Sequence, residues 1–268
     1  MCVLVFSAVT CVHNRRNSSD ALCGKCVPSV ARTEYPVVMS APVWDAAQGI
    51  WVGARAAGEC EVPDPLWIFG YGSLCWKAAF PYEEAVVGRV HGWKRFFAQK
   101  SADHRGTPES PGLVATLLSD EQLLKLRLRK PEEPASVTCG VCYLVNADDK
   151  LAVLENLDFR EKGGYTREII EFHPSDATRL PMRALLYSAT PENPGFTADA
   201  ITDPAAAAHI IGTAAGPSGP NREYLLNLAS WLESVAEDDP HISELMSRLP
   251  PLERVHVDMV EGASGSAP

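Results

Sequence analysis

The chain has 268 residues, of which 46% are hydrophobic and 22% are charged, and this ordinary globular mixture can bury a sizeable core. Its formal net charge of −10 argues against a large nucleic-acid surface, because phosphate binding requires clustered lysine and arginine. No apolar run is long enough to cross a membrane, so we expect no membrane partner.

The first part of the chain, 1–64, differs from the rest and is interpreted as an N-terminal extension. Its positive charge follows the apolar run instead of preceding it, which fits a secretory signal poorly. Three interpretations stay open: a transit peptide, a disordered leader, or a true translation start at Met39. Five of the eight cysteines lie in this part and form no even disulfide framework, which favours a reduced, cytoplasmic protein.

Two CxxC pairs occur, "CGKC" at 23–26 and "CGVC" at 139–142, and four thiolates could hold a zinc ion. The second pair, however, lies within "VTCGVCYLV", which is typical of a buried strand. Alternation along a strand directs Cys139 and Cys142 to opposite faces. We therefore predict small core residues and no metal site.

From 65 to 250 the pattern predicts one α+β domain, followed by a C-terminal tail at 251–268. Residues rich in valine, isoleucine, leucine and aromatics predict strands at 67–70, 85–99, 112–118, 137–145, 165–173 and 182–189. The charged stretch 119–136 is interpreted as a surface insertion with a helical turn or two.

The helical patterns lie mainly in the second half of the domain. "NADDKLAVLENLDFRE" predicts a helix that begins at a cap, Asn146 or Asp148, and ends at Gly163-Gly164. Further helices are predicted at 203–214, 221–237 and 240–249, the second of them capped by Asn221. Strands that precede helices favour one curved or closed sheet with helices packed outside it.

The stretch "WIFGYGSLCW" (67–76) runs from a short apolar strand into a loop with two glycines, Gly70 and Gly72. Glycine allows another group to approach the backbone closely. The loop is therefore either a tight turn or a site whose N–H groups face an anion or a developing negative charge.

A second candidate is Glu161 in "LDFREKGGY" (157–165), at the end of a predicted helix. The partial negative charge of a helix C-terminus disfavours a carboxylate there, and apolar surroundings would raise its pKa further. A raised pKa suits acid–base work near neutral pH. The alternative is a solvated glutamate in a charged turn.

Two further stretches carry polar groups. "SADHRG" (101–106) holds Asp103, His104 and Arg105, but neighbours on an extended chain point in alternating directions, so we expect no catalytic triad from this run. Arg105 is interpreted as an anion ligand or part of a structural turn. In "AAGPSGPNREYL" (214–225), Ser218 or the following helix N-terminus could meet a carboxylate, or the segment is only a cap.

Taken together, these stretches resemble the ChaC family of γ-glutamylcyclotransferases. The matching segments appear in one order along 66–235: "FGYGSLCW", "DHRG", "PG" with "TL", "LDFREKGGY", "NPG", and "AAGPSG" with "NREYL". The resemblance implies a small mixed β-barrel with helices around it. It also implies cleavage of glutathione to 5-oxoproline and cysteinylglycine without a cofactor.

The resemblance places the family's catalytic glutamate on Glu161. It places the substrate-binding loop on Tyr71, Gly72, Ser73 and Leu74, whose N–H groups we expect to face the γ-glutamyl group. The chain departs from the family pattern at 96–98, at Cys139 and after Phe196, and its 119–136 insertion is longer than usual. We expect these departures to bear on the shape of the pocket.

Two rival functions remain at the level of sequence. One is a cyclotransferase for other γ-glutamyl amino acids or amines, which a substrate panel would separate from glutathione cleavage. The other is a non-catalytic binding or regulatory module on the same fold. Such a module is expected to lack the catalytic carboxylate, whereas Glu161 is present.

Overall fold

The computed structural model describes residues 62–161 and 164–251, together with the backbone of 43–45 and 50–52. The strands are β1 (Val43–Asp45), β2 (Ile50–Val52), β3 (Trp67–Gly70), β4 (Glu84–His91), β5 (Trp93–Ser101), β6 (Gly112–Ser119), β7 (Val137–Leu144), β8 (Tyr165–Pro174), β9 (Met182–Ala189), β10 (Ala215–Gly216) and β11 (Gly219–Pro220). The helices are α1 (Asp120–Lys125), α2 (Lys150–Arg160), α3 (Asp199–Thr202), α4 (Pro204–Thr213), α5 (Asn221–Ser234) and α6 (Pro240–Arg248), with a 3-10 turn at Ser73–Cys75.

Five strands close into a barrel in the order β3-β7-β4-β8-β9. Neighbouring strands pair antiparallel except for β3 and β9, which run parallel, with Ile68 opposite Leu185 and Phe69 opposite Leu186. The parallel pair closes the ring and removes the exposed edges of an open sheet. The predicted α+β class with a small mixed barrel is confirmed.

A separate two-stranded sheet pairs β5 with β6. The predicted strand 85–99 is therefore two strands in two different sheets, and the single-strand prediction is wrong. The chain turns at Gly92, whose φ of +77° lies in the left-handed region that favours glycine. Only Gly92 separates the two strands, so the apolar residues on either side of it predict one continuous strand.

Three apolar clusters hold these layers together. The largest joins the barrel interior to α4, α5 and α6, and includes Phe172, Leu186 and Leu228, each 0% exposed. A second packs α2 onto the barrel through Ile68 and Leu157. A third lies under α1 and joins Leu123, in the predicted surface insertion, to β5 and β6. Because α2 packs on β3, which leads into the glycine loop, and α5 contacts the 3-10 turn of that loop, both helices lie close to it.

Two predicted helix caps differ from the structure. The N-cap of α2 is Asp149, not Asn146 or Asp148, while the Asn146 side chain accepts a hydrogen bond from the N–H of Asp148 just before the helix. Asn221 does not cap α5 with its side chain. Its side-chain amide is fully buried and bonds both the N–H and the C=O of Leu113, at 2.6 and 2.7 Å, so it ties α5 to β6.

Most of the predicted N-terminal extension (1–64) and C-terminal tail (251–268) lies outside the described residues, as do Cys23, Cys26 and Gly163. The division of the chain into these parts stays a prediction. Within the described part, no helix is both long and apolar enough to span a membrane.

Candidate active site

A cavity of about 370 Å³ opens beside the glycine loop. Its walls come from the loop after β3, from β5 with the segment that follows it, from the C-terminal end of α2, and from α5. All five residues that the family resemblance implies for the site line this cavity: Tyr71, Gly72, Ser73, Leu74 and Glu161. The loop residues and Glu161, which are 87 to 90 positions apart in sequence, thus meet in one place.

The two glycines of the loop, Gly70 and Gly72, leave no room for a side chain. A Cβ on Gly70 would lie 2.6 Å from the Cβ of Leu74, and a Cβ on Gly72 would lie 2.5 Å from the Oη of Tyr224. Real Cβ atoms do not approach other heavy atoms so closely. The φ of Gly72 is −119°, outside the left-handed region, so the constraint we identify here is close approach of the tyrosine.

Ser73 is held from two sides. Its N–H donates to the Oη of Tyr224 at 3.2 Å, and its Oγ accepts a hydrogen bond of 2.5 Å from Arg160. The N–H of Ser73 is therefore occupied by a protein group, contrary to the expectation that this loop N–H is directed at a ligand. The contacts instead fix the loop against α5 and the end of α2.

Glu161 is the residue at which α2 ends, and its N–H donates to the carbonyl of Leu157 at 2.7 Å. Its side chain is only 18% exposed, and its Oε1 lies 3.4 Å from the Nε of Arg160. Burial raises the pKa of Glu161, the nearby charge of Asp103 raises it further, and Arg160 opposes both. A carboxyl group with a raised pKa can take and return a proton near neutral pH.

The other two carboxylates of α2 do not line the cavity. Asp158 accepts hydrogen bonds of 2.9 Å from both Arg167 and the hydroxyl of Tyr187, so it joins α2 to the barrel. Glu155 is exposed to solvent. Of the three carboxylates in this helix and its C-terminal cap, Glu161 alone faces the cavity.

Three further tyrosines line the cavity and were not predicted as site residues: Tyr165, Tyr187 and Tyr224. Tyr187 accepts, at its carbonyl, a hydrogen bond of 2.9 Å from the hydroxyl of Tyr71. Burial raises the pKa of Tyr224 to about 12, so its hydroxyl stays neutral and can both donate and accept. Tyr165 and Tyr224 lie within the quoted family segments, a usable signal, whereas Tyr187 lies in a strand with no such mark.

Asp103, His104 and Ser218 form part of the cavity wall. The Nδ1 of His104 lies 3.2 Å from the Oγ of Ser218, and the Nε2 of His104 lies 3.7 Å from Asp103. The side chains of Asp103 and His104 are 41% and 58% exposed, whereas the aspartate of a catalytic triad is buried. The arrangement therefore agrees with the expectation that this run forms no triad.

The sequence left open whether Arg105 is an anion ligand or part of a structural turn, and its contacts are those of a structural residue. Its guanidinium donates to the carbonyl of Pro220 at 3.1 Å, lies 3.6 Å from Glu223, and rests over the ring of Tyr224. These contacts hold the segment after β5 against the start of α5.

The described residues contain no group of three or more histidine, cysteine or acidic side chains that could hold a metal ion. Cys139 and Cys142 are buried free thiols, and burial raises the pKa of Cys139 to about 11. A raised pKa disfavours the thiolate that binds zinc.

Comparison with known proteins places this geometry in a family. A family model described as ChaC-like protein matches residues 66–250. The human glutathione-specific gamma-glutamylcyclotransferase 1 is 38% identical over 188 residues, 69% of this chain and 78% of that protein. The glutathione-specific gamma-glutamylcyclotransferase of Schizosaccharomyces pombe is 35% identical over 186 residues, 67% of this chain and 90% of the relative.

The fold agrees with the sequence comparison. The crystal structure of a gamma-glutamyl cyclotransferase specific to glutathione from yeast aligns with a TM-score of 0.60 at 28% identity. The alignment covers 69% of this chain and 97% of the yeast chain. These matches confirm the resemblance drawn from the motifs, and the chain belongs to the ChaC-like family.

Proposed function

We propose that this protein is a γ-glutamylcyclotransferase, a lyase that cleaves glutathione to 5-oxoproline and cysteinylglycine. The observation that carries the proposal is the placement of the Glu161 carboxyl group and the glycine loop in one cavity. Relatives that span the same domain are named for this activity on glutathione.

The reaction exchanges one C–N bond for another. The α-amine of the γ-glutamyl group attacks the γ-carbonyl carbon and closes a five-membered ring, while the bond from that carbon to the cysteine nitrogen breaks. Glu161 takes a proton from the attacking amine and returns one to the leaving cysteine nitrogen. Because no electrons are transferred to an acceptor, the chemistry needs no redox cofactor.

The cavity supplies proximity as well as proton transfer. The substrate must be held curled so that its own amine reaches its own carbonyl, and such positioning lowers the entropic part of the barrier. Backbone N–H groups of the loop other than that of Ser73 would stabilise the transient oxyanion on the γ-carbonyl. Arg160 contacts both Ser73 and Glu161, and so fixes the position of the loop relative to the proposed base.

The charge of the cavity fits an anionic substrate. The lining includes four residues with positive side chains and two with carboxyl groups: Lys77, Lys100, Arg105 and Arg160 against Asp103 and Glu161. This local excess of positive charge occurs in a chain whose formal net charge is −10. Glutathione carries two carboxylates and one ammonium group, so its net charge complements the lining.

Two of the departures from the family pattern, those at 96–98 and at Cys139, do not themselves line the cavity. Phe96 and Ala98 pack in the apolar cluster under α1, and neither they nor Cys139 line the cavity. Neither departure therefore places a changed side chain in the cavity wall, which supports glutathione as the substrate. The cytoplasmic location expected from cysteine usage stays a prediction.

The proposal is tested by incubating the purified protein with glutathione and measuring 5-oxoproline and cysteinylglycine. Glu161→Gln keeps the side-chain shape and removes the proton transfer, so kcat should fall by about 10²–10⁴. Glu155→Gln, on the exposed side of the same helix, is the matched control and should retain full turnover. Activity of Glu161→Gln within a few-fold of wild type, with an unchanged melting temperature, would remove Glu161 from the mechanism.

A γ-glutamyl panel tests the substrate. Glutathione should be turned over in preference to γ-glutamyl-alanine, whose second part is shorter, and to γ-glutamylamines, which have no carboxylate in the second part. A higher kcat/KM for either competitor would assign the protein to the rival cyclotransferase class.

A further inference from the structure

Gln99 lines the cavity next to an irregularity in its strand. The register between β5 and β6 shifts between Phe97 and Gln99, so that Ala98 is the extra residue of a β-bulge. Bulges redirect side chains and occur often beside active sites. The Gln99 residue is only 5% exposed, yet it forms part of the cavity wall.

The hydrogen bonds around Gln99 fix which end of its amide is which. The Oδ1 of Asn193 accepts a hydrogen bond of 2.8 Å from the N–H of Gly195, so this atom is an acceptor. It also lies 3.2 Å from the amide of Gln99, which must therefore present its Nε2 as the donor. The Oε1 of Gln99 is consequently the end of the amide that is left for another partner.

That oxygen is buried and has no hydrogen-bond partner among the described residues. Buried polar groups in folded proteins are nearly always paired, and a buried acceptor without a partner costs free energy. Because Gln99 forms part of the cavity wall, a ligand bound there can supply the donor that this oxygen lacks.

The donor can be identified from the chemistry of the site. Asn193, which holds Gln99, also lies against Gly164, where an added Cβ would be 2.8 Å from the Asn193 Nδ2. Gly164 is three residues after Glu161, so the Gln99–Asn193 pair lies close to a residue that follows the proposed base. Two nitrogens of the substrate come next to this base, the attacking α-amine and the leaving cysteine nitrogen. The α-amine is the stronger hydrogen-bond donor, because it is mostly protonated at neutral pH.

We infer that the Oε1 of Gln99 accepts a hydrogen bond from the α-amine of the γ-glutamyl substrate and holds that amine toward Glu161. This inference rests on the proposed function. It makes Gln99 a substrate-binding residue that selects compounds with a free amine and orients the attacking nitrogen.

The test compares two ligands that differ only in the amine. Glutathione and glutaryl-cysteinylglycine, which lacks the α-amine and cannot cyclise, are titrated calorimetrically into Glu161→Gln and into the double variant that adds Gln99→Met. The Gln99 substitution should weaken glutathione binding by about tenfold or more, the loss expected for a hydrogen bond to a charged group. Binding of the amine-free analogue should stay within about twofold.

Equal weakening for both ligands, or for neither, would overturn the inference, because a merely structural glutamine does not distinguish an amine from its absence. If Gln99→Met does not fold, Gln99→Asn replaces it. Its shorter side chain keeps the amide but moves the acceptor oxygen away from the substrate, and its affinities for the same two ligands are compared. Lys100→Gln, at the next position of β5, is the matched control. It should change the affinities for the two ligands by the same factor. Absence of 5-oxoproline from the wild-type reaction would instead overturn the proposed function, so the two failures are distinct.

Discussion

The ionisation of Glu161 is set by its burial and by two neighbours of opposite charge. Burial has the largest effect and raises its pKa, Asp103 raises it further, and Arg160 lowers it. Since proton abstraction requires the ionised carboxylate, activity should fall as the pH drops through this raised pKa. The acid limb of the pH profile therefore reports the electrostatics of the site.

We predict that Asp103→Asn and Arg160→Gln move this limb in opposite directions. Removing the negative charge of Asp103 lowers the pKa of Glu161, so the acid limb of kcat/KM should move to lower pH. Removing the positive charge of Arg160 should move it to higher pH. The measurement is a pH profile of kcat/KM for each variant, and shifts in the same direction for both would refute this account of the electrostatics.

The contact between the glycine loop and α5 gives a prediction at the scale of elements. Gly72→Ala would place a Cβ 2.5 Å from the Oη of Tyr224 and should destabilise the fold by about 1–3 kcal/mol, the usual cost of overpacking. It should also lower kcat/KM by displacing the loop. Tyr224→Phe alone removes the acceptor of the Ser73 N–H and should cost about 0.5–1.5 kcal/mol.

The double variant separates steric conflict from loss of the hydrogen bond. Without the hydroxyl, a Cβ at position 72 would have the Cβ of Ala115 as its nearest other neighbour, at 3.6 Å, an ordinary contact. The two substitutions should therefore be less than additive in the free energy of unfolding. Strict additivity in urea denaturation would mean that the Tyr224 hydroxyl does not limit position 72.

The end of α2 is clamped to the barrel by Asp158, Arg167 and Tyr187. The side chains of Asp158 and Arg167 are 17% and 15% exposed, so Asp158→Ala leaves a largely buried cation unpaired. We predict a loss of about 3 kcal/mol in the free energy of unfolding. Glu155→Ala, an exposed carboxylate on the same helix, should change it by less than about 0.5 kcal/mol. Similar values for the two variants in urea denaturation would show that the clamp does not stabilise the fold.

The sequence pattern predicts those helices and strands well that are determined by neighbouring residues in the chain. The strand at 67–70 and the helices that begin near 203, 221 and 240 follow from apolar periodicity and the residues that bound them. Asn221 shows the limit, because a helix-start asparagine predicts a cap, whereas its true partner is Leu113, 108 residues away. The pairing of Ser73 with Tyr224 is equally non-local and has no signature in either segment alone.

At the scale of the whole molecule, closure of the barrel depends on the parallel pairing of β3 with β9. Both strands are recognisable in sequence, but their adjacency is decided by tertiary packing, since parallel strands need a long connection and leave no hairpin signal. The resemblance to a family implied the barrel that the local pattern could only describe as a curved or closed sheet. The cavity follows from this closure, because it brings the ends of β3 and α2 together.

The extent of the functional unit can be argued from the same packing. The described residues that line the cavity all lie between Phe69 and Tyr224, and the family match spans 66–250. The described apolar clusters, however, begin earlier, because Val62 packs in the cluster under α2. Lys150, the first residue of α2, donates to the carbonyl of Pro63 at 3.2 Å. Residues 62–65 therefore support the helix that carries Glu161.

We predict that a chain of residues 62–251 keeps the melting temperature and kcat/KM of the full protein, while a chain of 66–251 melts at a lower temperature. The second chain loses the apolar contact of Val62 and the hydrogen bond from Lys150 to the carbonyl of Pro63. Each lost contact weakens the packing of α2 on the barrel. Thermal melts and glutathione turnover of the three proteins decide the matter. If the 62–251 chain folds but is inactive, residues outside it contribute to the site. If the 66–251 chain matches it in stability, the support assigned to residues 62–65 is wrong.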